Sequence, residues 1–268
     1  MKRIALILAF AMSAALTSTA QDKSKSEAQG KPEAPKSEAP KTDAKDAALP
    51  TVDAILDKNV KAVGGKEAIE KITSRSIKGS FEIEALGVSG APVEIFAKAP
   101  NKSSTKIDIP GFGVVNRVFD GAMGWDSNPM TGLRELSGIE LAQFKRGSDF
   151  YQELNLKKHY AKMEVKGKEK VGSYETYVIE ATPAEGSPEK FYFDVNTGLL
   201  VRHDAEAETP QGKTMFETYM DDYKAVDGVQ IPHTTKQTSP AISFVIKITE
   251  VKNNVEIDSA KFNKPSGN

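Results

Sequence analysis

The sequence predicts an α+β, mainly β domain: a long antiparallel meander with a few helices packed on one face. Three observations carry this. Apolar residues recur at every second position in several runs. Turn dipeptides separate such runs. Helical patterns are too few to supply the crossover that each parallel strand pair needs.

The chain opens on a targeting signal. Lys2 and Arg3 precede an apolar run at 4–16, and Ser18-Thr19-Ala20 places small residues where signal peptidase reads. The run is too short to span a bilayer, so residues 1–20 are expected to be a secretory signal peptide. No cysteine occurs. A mature end without cysteine cannot be acylated as a lipoprotein, no disulfide can form, and thiolate catalysis and thiolate metal sites are excluded. The expected product is an exported, soluble, periplasmic protein with no lipid anchor.

Residues 21–48 are built from Lys, Glu, Asp, Ala, Ser and Pro, with the near-repeats KPEAP, KSEAP and KTDAK. Such a segment cannot bury enough apolar surface to offset its ordering entropy. Its prolines favour polyproline II, so an extended spacer is expected. Its charges cancel six to six, which argues against a polybasic anchor. Residues 49–268 then read as a single domain. Over the whole chain 36 Lys and Arg face 37 Asp and Glu, and a nucleic-acid binder would need a basic face.

Within the domain, Thr51 can cap a helix with Ile55, Leu56, Val60 and Val63 on one side, ended by Gly64-Gly65. A short helical piece at 66–72 follows. The period then changes to two: Phe81, Ile83 and Ala85; Val93, Ile95 and Ala97; Ile242, Phe244, Ile246 and Ile248. One apolar and one mixed face is the mark of an antiparallel sheet covered on one side. Asp120-Gly121, Asn196-Thr197-Gly198 and Asp227-Gly228 supply the turns. One helical interruption is expected, opened by the capping box Ser137-x-x-Glu140, broken at Gly147 and resumed through Phe150, Tyr151 and Leu154.

Candidate chemistry is sparse. Asp194-x-Asn196-x-Gly198 suggests a calcium loop, but glycine falls one place early and position twelve is Ala205, not glutamate. Phe191, Phe193 and Val195 share one face before it, and Leu199 and Val201 share one after it. The stretch therefore reads as a hairpin, with Asp194 bonding turn amides. His159, His203 and His233 lack metal-ligand spacing and read as surface residues. No nucleophile elbow and no phosphate-binding glycine loop occur, so no catalytic residue, metal or cofactor is expected. Asp204, Glu206 and Glu208 share a strand face, as do many solvated carboxylates. Trp125, the one tryptophan, suits packing over the sheet end or the mouth of a cavity.

PEKFYFDVNTGLLVRHD (188–204), ETYMDDYKAVDGVQIP (217–232) and VKNNVEIDSAKFNKP (251–265) resemble the LolA/LolB-like periplasmic lipoprotein carriers, above all chains described as outer-membrane lipoprotein-sorting proteins. PVEIFAKAPNK (92–102) and FDGAMGWDSNP (119–129) resemble them too. The resemblance implies an unclosed antiparallel half-barrel with helices across its concave face and acyl chains held between. It also implies a gating arginine, for which Arg117, Arg134 and Arg202 are the candidates. The expected function is a non-enzymatic, monomeric carrier of acyl chains of a lipoprotein or lipid, with an envelope protein as donor or acceptor. The expected ligand wall is Phe81, Ile83, Ile95, Trp125, Phe191, Phe193, Phe244 and Ile246. The alternative is an envelope protein-interaction module with a filled core and no ligand. An enzyme using carboxylates such as Asp204 and Glu206 ranks below both.

Overall fold

In a computed structural model, residues 48–209 and 212–266 are described. The expected signal peptide and, apart from Ala48, the expected spacer lie outside them. Helix α1 (Val52–Val63) begins where predicted, with Thr51 Oγ1 accepting the Ala54 amide at 3.2 Å. It ends at Gly64, whose φ of 134° leaves no room for a side chain: a Cβ there would sit 2.1 Å from the Gly228 carbonyl oxygen. Helix α2 (Lys66–Glu70) follows.

Six strands run outward from the middle of the sheet: β1 (Ser74–Ile83), β2 (Val88–Lys98), β3 (Lys102–Ile109), β4 (Gly113–Phe119), β5 (Gly124–Asn128) and β6 (Gly132–Glu135). Seven more return from the opposite edge: β7 (Lys162–Val171), β8 (Tyr174–Thr182), β9 (Glu189–Asp194), β10 (Leu200–Thr209), β11 (Gly212–Val226), β12 (Val229–Thr238) and β13 (Ser243–Asn253). Their order is β6-β5-β4-β3-β2-β1-β13-β12-β11-β10-β9-β8-β7, and the described pairings are antiparallel. The join is β1 to β13, with Phe81 opposite Ile246. The sheet does not close, and it forms the expected half-barrel.

This order fixes the role of the helical interruption. β6 and β7 are consecutive in sequence but lie at opposite edges. The chain between them must cross the sheet. It does so as α3 (Gly138–Gly147), α4 (Gln152–Asn155) and a 3₁₀ turn (Leu156–His159), with α3 touching both β5 and β10.

Several local expectations are corrected. β1 ends at Ile83, and Ala85 lies in a 3₁₀ turn rather than continuing the strand. Ser137 precedes α3 but makes no side-chain cap; Glu140 instead accepts two bonds from Arg134, at 2.6 and 2.7 Å. A charge-assisted pair outcompetes a neutral cap. Leu199 and Val201 do not share a face, because a bulge between Leu200 and Arg202 shifts the register. Leu199 packs toward α1, while Val201 joins Val178 and Tyr192 on the outer face. The Asp194 turn forms as expected: its Oδ2 accepts Thr197 N at 2.8 Å and Thr197 Oγ1 at 2.6 Å.

The inner face is filled at both ends. At one end, Phe81, Ile83, Val93, Ile107, Ile109 and Val115 of the outward strands meet Ala207, Phe216, Phe244 and Ile246 of the returning ones. At the other, Val63 of α1, Ile69 of α2 and Ile72 just beyond it pack against Val229 and Ile231. Burying each such large side chain contributes about 1.5–3 kcal/mol. Among the described residues no helix is long and apolar enough to cross a membrane.

Candidate functional site

Between the two filled ends, under α3 and α4, the inner face holds two adjoining cavities of about 240 and 210 Å³. Gln152 and His203 line both. Each is below the ~300–1,000 Å³ of typical ligand pockets, and joined they fall within it.

The first cavity lies between α3 and strands β4 and β9–β12, with Phe144, Ala205, Ala207 and Phe216 as its apolar wall. Its polar wall is a connected set. Glu189 Oε1 accepts Arg146 at 2.6 Å, and Oε2 accepts the Tyr160 hydroxyl at 2.6 Å and lies 2.9 Å from His203 Nε2. Burial alone would raise the Glu189 carboxyl. Hydrogen bonds from His203 and Tyr160, with the His203 and Arg146 charges, outweigh it and hold the pKa at about 2. Burial and the neighbouring Glu189 push the Tyr160 hydroxyl up, so it stays a donor.

A second ionic set holds the start of α3. Glu140 takes Arg134 in two bonds and lies 3.5 Å from Arg117. Arg134 also lies 3.3 Å from Asp126. The Arg117 guanidinium stacks over Phe144 at 4.5 Å, and burial lowers its pKa. Helix α3 is thus tied to β4–β6 by Glu140 and to β9 by Arg146.

The second cavity is lined by Val63, Leu156, Phe191, Phe193, Leu200 and Met220, with Asn59, Glu153, Tyr223 and Gln230 as polar members. Phe191 and Phe193 therefore stand on a cavity wall. Phe81, Ile83, Phe244 and Ile246 stand in the filled end cluster with Ile95 packed against it, and that cluster reaches the first cavity through Ala207 and Phe216. Phe81 and Ile83 are 0% exposed, so they touch only protein in this conformation. Trp125 is buried on the opposite face. Gly124 faces Leu136, Leu141 and Phe144, and strand alternation turns Trp125 away from them.

Of the three arginine candidates, Arg117 alone lines a cavity described here. Arg134 sits at the sheet edge, bound to Glu140. Arg202 is on the outer face between the Tyr192 and Tyr219 rings, at 4.9 and 5.2 Å, and bonds Asp204 and Glu217. Asp204 is thereby engaged, and Glu206 bonds Ser187 and Lys213. No group of three metal-ligating side chains occurs among the described residues.

His203 departs from the surface placement expected of it, because β10 turns it inward between the cavities. A signal for such residues was present. Glu189 is in phase with Phe191 and Phe193, and Arg117 with Val115 and Phe119. A charge on the apolar face of an alternating strand marks a buried polar site.

No protein-family model matches the chain, and no curated protein matches it. Solved structures do. A DUF1329 family protein from Desulfovibrio piger matches with a TM-score of 0.55 at 15% identity, over 79% of this chain and 97% of that one. A LolA superfamily protein from Nitrosomonas europaea matches with a TM-score of 0.52 at 12% identity, over 81% and 99%. An outer membrane lipoprotein-sorting protein domain from Vibrio parahaemolyticus matches with a TM-score of 0.52 at 13% identity, over 78% and 97%. At these identities the likeness is one of fold, and the open sheet crossed by helices is the fold of the LolA superfamily and lipoprotein-sorting structures.

Proposed function

We propose that the protein is an exported, non-enzymatic binder or carrier of acyl chains, from a lipoprotein or a lipid, working in the periplasm as a monomer. The observation that carries this reading is the pair of adjoining cavities between the sheet and the helices that cross it. Burial of each methylene contributes about 0.8 kcal/mol, so a pocket that opens without chemistry is sufficient for the task. The solved lipoprotein-sorting domain with this fold supports the choice of ligand class. The N-terminal targeting pattern supports the compartment.

Phe144, Ala205 and Phe216 of the first cavity and Phe191, Phe193 and Leu200 of the second would touch the chain directly. The cluster of Phe81, Ile83, Ile95, Phe244 and Ile246 would part to lengthen the pocket. An envelope protein would deliver or receive the ligand. The test is a filling substitution: Ala205→Phe adds bulk to the first cavity without removing a contact. A fluorescent fatty acyl probe should then bind about tenfold more weakly while the melting temperature holds. Unchanged binding in a folded variant counts against the cavity as the ligand site. A wild-type protein that takes up no probe favours the interaction module.

A further inference from the structure

His203 and Gln152 stand where the two cavities adjoin and line both. Strand β10 supplies His203 from the sheet, and α4 supplies Gln152 from the helices above it. The His203 imidazole is held on two sides. Its ring stacks on Phe191, with centroids 4.3 Å apart and planes 12° from parallel. Its Nε2 lies 2.9 Å from Glu189 Oε2, on the wall of the first cavity. Glu189 is itself fixed by Arg146 and Tyr160, each at 2.6 Å. The imidazole is thus a braced partition. Gln152 has no such brace: among the described residues its side chain makes no hydrogen bond.

The apolar walls lie to either side. Ala205, Ala207 and Phe216 belong to the first cavity, and Phe193, Leu200 and Met220 to the second. A chain that runs from one wall to the other must pass His203 and Gln152. At ~30 Å³ for a group the size of a methylene or a water, one cavity holds roughly seven or eight chain atoms and the two together about fifteen. Passing His203 breaks its bond to a carboxylate, which is stronger than a bond between neutral groups. Extending the first cavity into the end cluster instead parts packed side chains such as Phe216 and Phe244. Neither way is free.

We propose that His203 is the throat of the binding site and sets the chain length at which affinity stops rising. This rests on the acyl-binding reading and specifies its ligand. Each added methylene tightens binding until one cavity is full, at about eight carbons. Beyond that length the gain is spent on moving the imidazole off Glu189 and Phe191. A chain that touches both apolar walls does so only with His203 swung aside.

The experiment uses the full mature chain loaded with the fluorescent fatty acid cis-parinarate, which is displaced in turn by octanol, decanol and dodecanol. Uncharged alcohols differ only in length, and each pair of methylenes that finds room should tighten binding about fifteenfold. Dodecanol should therefore bind wild type less than about tenfold more tightly than octanol, and His203→Ala more than about a hundredfold more tightly. A mere loss of packing weakens both alcohols alike and leaves their ratio as it was. If His203→Ala fails to fold by circular dichroism, Gln152→Ala opens the same throat from the helix side and should raise the ratio in the same direction. A wild-type ratio already above about a hundredfold, or a folded variant that keeps the wild-type ratio, overturns the proposal and leaves the acyl-binding reading standing. Failure of parinarate and all three alcohols to bind wild type sinks the acyl-binding reading with it.

Discussion

Glu189→Gln is the sharpest perturbation of the helix-over-sheet arrangement. The side chain is 5% exposed and its partner Arg146 is 12% exposed, so solvent screens the pair little. Its pKa falls from an ordinary 4.5 to about 2. At about 1.4 kcal/mol per unit, that depression is worth roughly 3 kcal/mol at neutral pH. Breaking a buried pair by removing one charge costs a similar 3–5 kcal/mol or so. A carboxyl depressed in the folded state adds stability that is complete above its unfolded pKa and is lost as pH falls through the folded one. The window is therefore about pH 4.5 down to about 2. At pH 3 the contribution of Glu189 should be roughly 1.4 kcal/mol, under half its neutral value. Urea unfolding of wild type and variant at pH 7 and pH 3 measures both differences. A variant within about 0.5 kcal/mol of wild type at pH 7, or a difference that does not shrink by pH 3, would refute the reasoning.

Other consequences are separable. Gly64→Ala should cost several kcal/mol in a urea melt, because its Cβ would meet the Gly228 carbonyl oxygen at 2.1 Å; Gly65→Ala, with nothing within 4 Å, should cost less, ~1–3 kcal/mol, from backbone strain alone, since its φ of 83° with ψ of 160° is a region that glycine almost alone adopts. Phe81→Ala should cost about 3–5 kcal/mol, since the ring is 0% exposed between the two walls of the sheet. Glu140→Gln should speed amide exchange in α3 by about tenfold or more and leave the β1–β13 pair unchanged, because it removes the charge that holds Arg134 and Arg117.

Much of the fold was legible because its rules are local. Thr51 and Gly64 bound α1, and Asp227-Gly228, with φ of 51° and 82°, makes the two-residue hairpin its sequence specifies. Alternation placed Phe81, Phe191, Phe193 and Phe244 on the inner face. It could not tell which strands meet. The pairing of Phe81 with Ile246 joins segments far apart in sequence, and only that pairing makes β6 and β7 the edges that the helices must connect. The same gap hid the site. Phe191 and Phe193 line a cavity while Phe81 and Ile83 fill an end, although all four obey one pattern. Trp125 falls on the other face because alternation starting from Gly124 turns it outward. The polar members were readable in principle. Glu189 and Arg117 interrupt apolar faces in phase, and such an interruption asks for a partner across the fold.

The central claim, that this sheet and its crossing helices hold an acyl chain, is tested most directly by native mass spectrometry. The protein would be purified gently from the cells that make it, and any bound material extracted and weighed. The account predicts a bound acyl species, lost on organic extraction and replaced by an added fatty acyl probe. A protein that arrives empty and takes up no probe would contradict it, leaving the cavities as packing gaps in a protein-interaction module.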